Sequence, residues 1–259
     1  MSAEPVRLVR GGALAEIVID SPPLNLFDDG VFDGFERALR TVADDPPRGL
    51  LIRAEGRVVS AGVDVQTFSG LTPDRGRELW SRLLATIDVL EALPLPTVFA
   101  AHALTLTAAF EIALACDLVV AGRSAKFGLV ETVVGLTPSM GGTQRLAERA
   151  GSGRARELVL TGELFGAEQL ERWDVVNRVY DDDDFAAESR ALAQALADGP
   201  TRAHAMTKRV LGAYRAGGVP AADVVIRGEA AALFGTEDLQ AAVATFLERG
   251  PGHATFRGR

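Results

Sequence analysis

Residues 96–117, PTVFAAHALTLTAAFEIALACD, are the stretch from which the fold of this chain can be read. Pro94 and Pro96 frame Thr97–Ala101, a short apolar run that reads as a buried strand. A loop through His102 leads to Ala108–Ala115, an apolar segment with helical composition, and Asp117–Ala121 is again a strand. A strand, a helix and a second strand in so short a span favour parallel pairing through a crossover helix, and so an α/β fold.

The alternation continues outward in both directions. Val6–Val9 and Leu14–Ile19 flank the turn signal Gly11-Gly12, and Ser21-Pro22-Pro23 stops the second strand. Val31, Phe32, Phe35, Leu39 and Val42 recur at three and four, which predicts an amphipathic helix between Phe27 and Ala43 capped by Asp28 or Asp29. Gly49–Ala54 reads as a buried strand and Asp74–Leu93 as a further helix. From about Phe185 the chain turns Ala-rich and helical, with punctuation at Gly199-Pro200, Gly217-Gly218 and Gly235. The expected division is an α/β body over residues 1–199 and a helical C-terminal region over 200–259.

Composition removes several classes of function. Asp and Glu number 35 against 27 Lys and Arg, a formal net charge of -8. A generic nucleic-acid groove needs a basic footprint, so no nucleic-acid partner is expected, although a local basic patch still allows a small anion. The single cysteine, Cys116, removes any intramolecular disulfide or Cys-cluster zinc site. His102, His204 and His253 have no metal-ligand spacing, so no metal is expected. No apolar run reaches the roughly 20 residues of a spanning helix, and MSAEPVRLVRGG lacks a signal-peptide core. The expectation is a soluble cytoplasmic protein with no membrane partner.

Three segments carry features beyond packing. Ser60-Ala-Gly-Val-Asp64 follows a strand and contains a glycine that lets backbone approach a ligand with an amide free to donate. Ala108 opens an apolar helix whose first-turn N–H groups suit a developing negative oxygen, and Glu111, three residues on, shares its face. Glu131 is a second acid in apolar company, among Leu129, Val130, Val133 and Val134, ahead of the loop Pro138-Ser-Met-Gly-Gly and a helix running through Arg145. On the residues alone, Ser60–Asp64 also fits an ordinary strand-to-loop turn. Glu111 reads first as a dipole-stabilised acid or a structural ion-pair member and only second as a general acid/base, and the pair of acids invites the last reading without requiring it.

In their order and spacing these segments resemble the crotonase (enoyl-CoA hydratase/isomerase) superfamily, together with Ile19-Asp-Ser-Pro-Pro-Leu-Asn25 and Phe110-Glu-Ile-Ala-Leu-Ala-Cys-Asp117. The resemblance implies a spiral of repeated ββα units with a C-terminal helical region that supports trimers, often paired as hexamers. It implies an acyl-CoA substrate and no separate cofactor, coenzyme A being part of that substrate. The N–H groups of Val63 and Ala108 would hold the thioester oxygen of an enolate, and Glu111 and Glu131 would add water across the double bond of a 2-enoyl-CoA. The same resemblance puts Arg57, Ala61, Asp64 and Phe256 near substrate or CoA. The chain departs from the family pattern at Thr107-Ala108-Ala109, where a glycine triplet is usual. It also departs at Val130 for proline, Ser139 for glycine and His102-Ala103 for Asn-Gly. Isomerisation, or acyl-CoA binding without catalysis, are the alternatives these departures leave.

Overall fold

The computed structural model describes residues 4–259. Strands β1 (Val6–Gly11) and β2 (Leu14–Ile19) form the expected antiparallel pair, with Gly12 turning at φ +68°. Helix α1 (Asp29–Asp44) starts where Asp28 accepts from Val31 N at 2.9 Å, and the five apolar residues spaced at three and four are all buried. There follow β3 (Gly49–Ala54), α2 (Pro73–Ala92), β4 (Thr97–Ala101), β5 (Thr105–Leu106), α3 (Ala108–Ala115), β6 (Leu118–Gly122) and β7 (Lys126–Gly128). Next come α4 (Gly142–Ala150), α5 (Ser152–Thr161), β8 (Phe165–Gly166), α6 (Ala167–Arg172) and β9 (Arg178–Tyr180). The chain ends with α7 (Phe185–Ala197), α8 (Thr201–Gly228) and α9 (Glu237–Arg249).

The larger sheet has six strands in the order β1-β2-β3-β4-β6-β9, parallel everywhere except between β1 and β2. The smaller has the order β5-β7-β8, and Ser60 joins it through a parallel bridge to Thr105. The chain therefore repeats one course: a strand in the large sheet, a short extended piece in the small one, then a helix. β3, Ser60 and α2 make one turn of this spiral; β4, β5 and α3 the next; β6, β7 and α4 a third. Strands covered on both faces need no polar alternation. Accordingly Leu50, Leu51 and Ile52, then Val98, Phe99 and Ala100, are all buried. The main core includes Phe110 and Phe127, whose rings lie 5.1 Å apart. On the other face α7 closes over β3 so tightly that a Cβ at Gly49 would lie 2.8 Å from Ala197 Cβ.

The C-terminal helices are fastened to this body by polar contacts. Arg48 donates to Thr201 Oγ1 at 2.9 Å and to Gly199 O at 2.7 Å, and Lys208 pairs with Asp117 at 2.8 Å. Gly217-Gly218, which reads in sequence as a break, is a kink inside α8: Gly218 adopts φ +68° and Pro220 follows. Val219, Val224, Phe234, Phe246 and Leu247 leave much apolar surface exposed on this region. No helix among the described residues is long and apolar enough to cross a membrane.

Candidate active site

The first wall is the segment after β3. Asn25 organises it: its Nδ2 donates to Glu55 O and Val58 O at 2.8 and 3.0 Å, and its Oδ1 accepts from Ser21 N at 2.7 Å. Ser60 Oγ donates to Asn25 O at 2.7 Å and accepts from Gly62 N at 3.0 Å. Gly62 is required here, since its φ is +113° and a Cβ would lie 3.1 Å from Thr107 Oγ1. Gly62 O and Asp64 N pair with Phe27, whereas the Val63 N–H between them has no acceptor among the described residues.

The second wall is the start of α3. Thr107 N donates to Gly128 O at 3.0 Å and Thr107 O accepts from Glu111 N at 2.8 Å. Ala108 is the first helical residue, so its N–H is one of the donors a helix leaves unused, and it too has no acceptor among the described residues. Val63, Ala108, Ala61, Glu111 and Glu131 all line one cavity of about 240 Å³. Its remaining wall is largely apolar, with Phe68 and Trp80 edge to face at 5.8 Å.

Glu111 is only 3% exposed and makes no ion pair among the described residues. Its Oε1 accepts instead from Met140 N at 2.8 Å and Gly142 N at 2.9 Å. The loop can come this close because residue 142 is glycine: a Cβ there would lie 2.7 Å from Glu111 Cγ. Arg145 holds the loop from behind. It donates to Gly141 O at 3.2 Å and forks onto Glu91 at 2.9 and 2.6 Å, while Arg215 of α8 meets the same carboxylate at 2.6 Å. Burial first, then the charge of Glu131, pushes the Glu111 carboxyl up to about 8 against the pull of the backbone N–H groups. Glu131 opens the single turn Glu131–Val134 after β7; burial lifts it to about 7, and its Oε2 is buried with no partner among the described residues. Two carboxyls thus share one cavity, both brought into the neutral range, where proton transfer in either direction is easiest.

The other residues singled out in the sequence lie elsewhere. Asp64 caps the turn Val65–Phe68, accepting from Gln66 N at 3.0 Å, and is absent from the cavity wall. Arg57 is exposed and does not line the cavity. Phe256 lines a separate apolar cavity of about 420 Å³ with Leu239 and Phe246. Within one chain, then, Ala61 joins the two acids and Arg57, Asp64 and Phe256 do not. Cys116 is buried with its thiol pushed up to about 12, and His102 lies against Gly56 O at 3.0 Å. No cluster among the described residues could hold a metal. The Arg145–Glu91–Arg215 group has no counterpart in the sequence reading, where Arg145 marked only the helix after the glycine loop.

Two N–H groups without acceptors among the described residues and two carboxyls in the neutral range thus line one cavity of a strand–strand–helix spiral, a set suited to holding an oxygen that gains charge while a proton moves. The chain belongs to the enoyl-CoA hydratase/isomerase family, the crotonases, whose sequence model matches residues 10–257. It is 29% identical to "Probable enoyl-CoA hydratase echA8" of Mycobacterium tuberculosis, over 99% of this chain and 100% of that one. It is 32% identical to the "Carnitinyl-CoA dehydratase" of Salmonella enteritidis, over 83% of this chain and 81% of that one. A Geobacillus kaustophilus structure described as "Enoyl-CoA Hydrates Subunit I" superposes with a TM-score of 0.92 at 29% identity, covering 99% of this chain and all, 100%, of the other.

Proposed function

We propose that this protein is a hydro-lyase that adds water across the double bond of a 2-enoyl-CoA. The observation that carries this reading is the pair of buried Glu111 and half-buried Glu131, raised to about 8 and about 7, in one cavity with the Val63 and Ala108 amides. Near neutral pH such a pair retains a proton while keeping a charge, with Glu111 the more proton-retentive member. One carboxylate takes a proton from the water that attacks C3, and the other carboxyl delivers a proton to C2. The Val63 and Ala108 N–H groups hold the thioester oxygen while it carries enolate charge. The apolar wall receives the acyl chain, and coenzyme A enters as part of the substrate. The helical region 200–259, with Val224, Phe234 and Leu247 exposed, fits assembly into a trimer or hexamer.

Glu111→Gln and Glu131→Gln test the chemistry. Each should lower turnover by about 10²- to 10⁴-fold, read as loss of the conjugated enoyl absorbance, while acyl-CoA binding persists. Unchanged turnover in either variant contradicts the mechanism. Reaction in heavy-oxygen water separates hydration, which places solvent oxygen in the product, from double-bond isomerisation, which does not.

A further inference from the structure

Thr107 is the residue of this cavity that the proposed hydration leaves without a task. Its backbone sits at φ 46°, ψ −119°, the first corner of a type II′ turn, a conformation suited to glycine and strained for a β-branched side chain. The residue is 7% exposed, and its Oγ1 is buried with no hydrogen-bond partner among the described residues. A buried hydroxyl left unpaired is unfavourable in itself, so the position combines two unfavourable features. Both become intelligible from its surroundings. Thr107 lines the cavity with Gly62, Val63, Ala108 and Glu111. Its Oγ1 lies 3.1 Å from where a Gly62 Cβ would be, one residue from the Val63 amide, and Thr107 is bonded directly to Ala108.

We propose that the Thr107 hydroxyl is a third donor to the substrate's thioester oxygen, completing with the Val63 and Ala108 N–H groups a three-donor cradle. No bond is made or broken by Thr107: it donates one hydrogen bond that strengthens as the carbonyl oxygen takes on enolate charge. The assignment rests on reading Val63 and Ala108 as thioester donors, and it applies to hydration or to any other enolate step here.

Thr107→Val keeps the branch and removes the hydroxyl; Thr107→Ser keeps the hydroxyl and removes the branch. The probe is butyryl-CoA labelled with carbon-13 at the carbonyl, whose infrared band moves to lower frequency as donors engage the oxygen, whether or not the protein turns over an enoyl-CoA. The expected result is a full displacement in the wild type and Thr107→Ser, and a smaller one in Thr107→Val. On crotonyl-CoA, Thr107→Val should lose up to about 10²-fold in kcat with little change in KM, a loss of the size seen when an oxyanion donor is removed. Thr107→Gly should raise Tm by relieving the backbone while sharing the Thr107→Val deficit. A wild-type band position in Thr107→Val, or equal deficits in Thr107→Ser and Thr107→Val, overturns the hydroxyl's role. No displacement in the wild type overturns the thioester reading of Val63 and Ala108, and this assignment with it. Absence of hydration beside a normal infrared pattern would instead refute the hydratase reading alone.

Discussion

Replacing Gly142 by alanine would put a methyl carbon 2.7 Å from Glu111 Cγ and 3.1 Å from its Oε1. Carbon atoms settle at about 3.5 to 4.0 Å, so one of the two must retreat by roughly 1 Å. The backbone raises no objection: Gly142 is not among the glycines with positive φ, and alanine is the better helix former by about 1 kcal/mol. The helix start is therefore free to accept the substitution, and Glu111 is the group that moves. A displacement of about 1 Å at a reacting group costs on the order of 10²-fold in rate. Gly142→Ala should accordingly lower kcat for enoyl-CoA hydration about 10²-fold. Butyryl-CoA binding by calorimetry should hold within a few-fold and Tm within a few degrees, because the Val63 and Ala108 amides are untouched. Wild-type kcat in this variant would refute the claim that the 140–142 loop sets the position of the carboxylate. A large fall in Tm with loss of binding would refute it differently, by showing that the loop supports the whole cavity.

Three other outcomes follow from the same geometry. Glu111 and Glu131 stand above the ordinary carboxylate value of 4.5, at about 8 and about 7, so the folded chain holds protons that the unfolded chain releases. The stability these two carboxyls contribute should be full below pH 4.5 and fall as pH rises towards 8, and Glu111→Gln should flatten that fall in a Tm-against-pH series above about pH 5; an equal slope in both proteins counts against burial as the cause. Arg145→Lys substitutes one ammonium for a fork that reaches both Glu91 and Gly141, so kcat should drop about tenfold with KM nearly constant; an unaltered kcat would leave Arg145 a packing residue. Trp80→Ala opens the apolar end of the cavity and should shift kcat/KM towards bulkier acyl groups across a chain-length series, and an unchanged ranking would remove Trp80 from the acyl wall.

The sequence revealed what depends on local pattern. Thr97–Ala101 and Ala108–Ala115 coincide with β4 and α3, because a proline frame and an uninterrupted apolar helix leave little latitude. Both acids were visible because a carboxyl among Val, Leu and Ile is conspicuous. The small sheet was not, since Thr105–Leu106 and Phe165–Gly166 are too short to show any alternation. Nor was the clasp on Glu91, whose partners stand 54 and 124 residues away and leave no periodic trace. The departure Thr107-Ala108-Ala109 was plain to read, but which of the three carries the strained backbone was not. Ala108 and Ala109 are ordinary helix, and the positive φ falls on the threonine.

Glu91 is gripped by one arginine from α4, the helix that follows the loop at Glu111, and by another from α8, far down the chain. The position of Glu111 is thus tied mechanically to the last quarter of the polypeptide. A chain cut before Thr201 would retain every residue that touches the cavity and still lose the outer half of that brace. The C-terminal helices then act as a tie-rod for the chemistry, and their seating on the body becomes a variable that turnover can report.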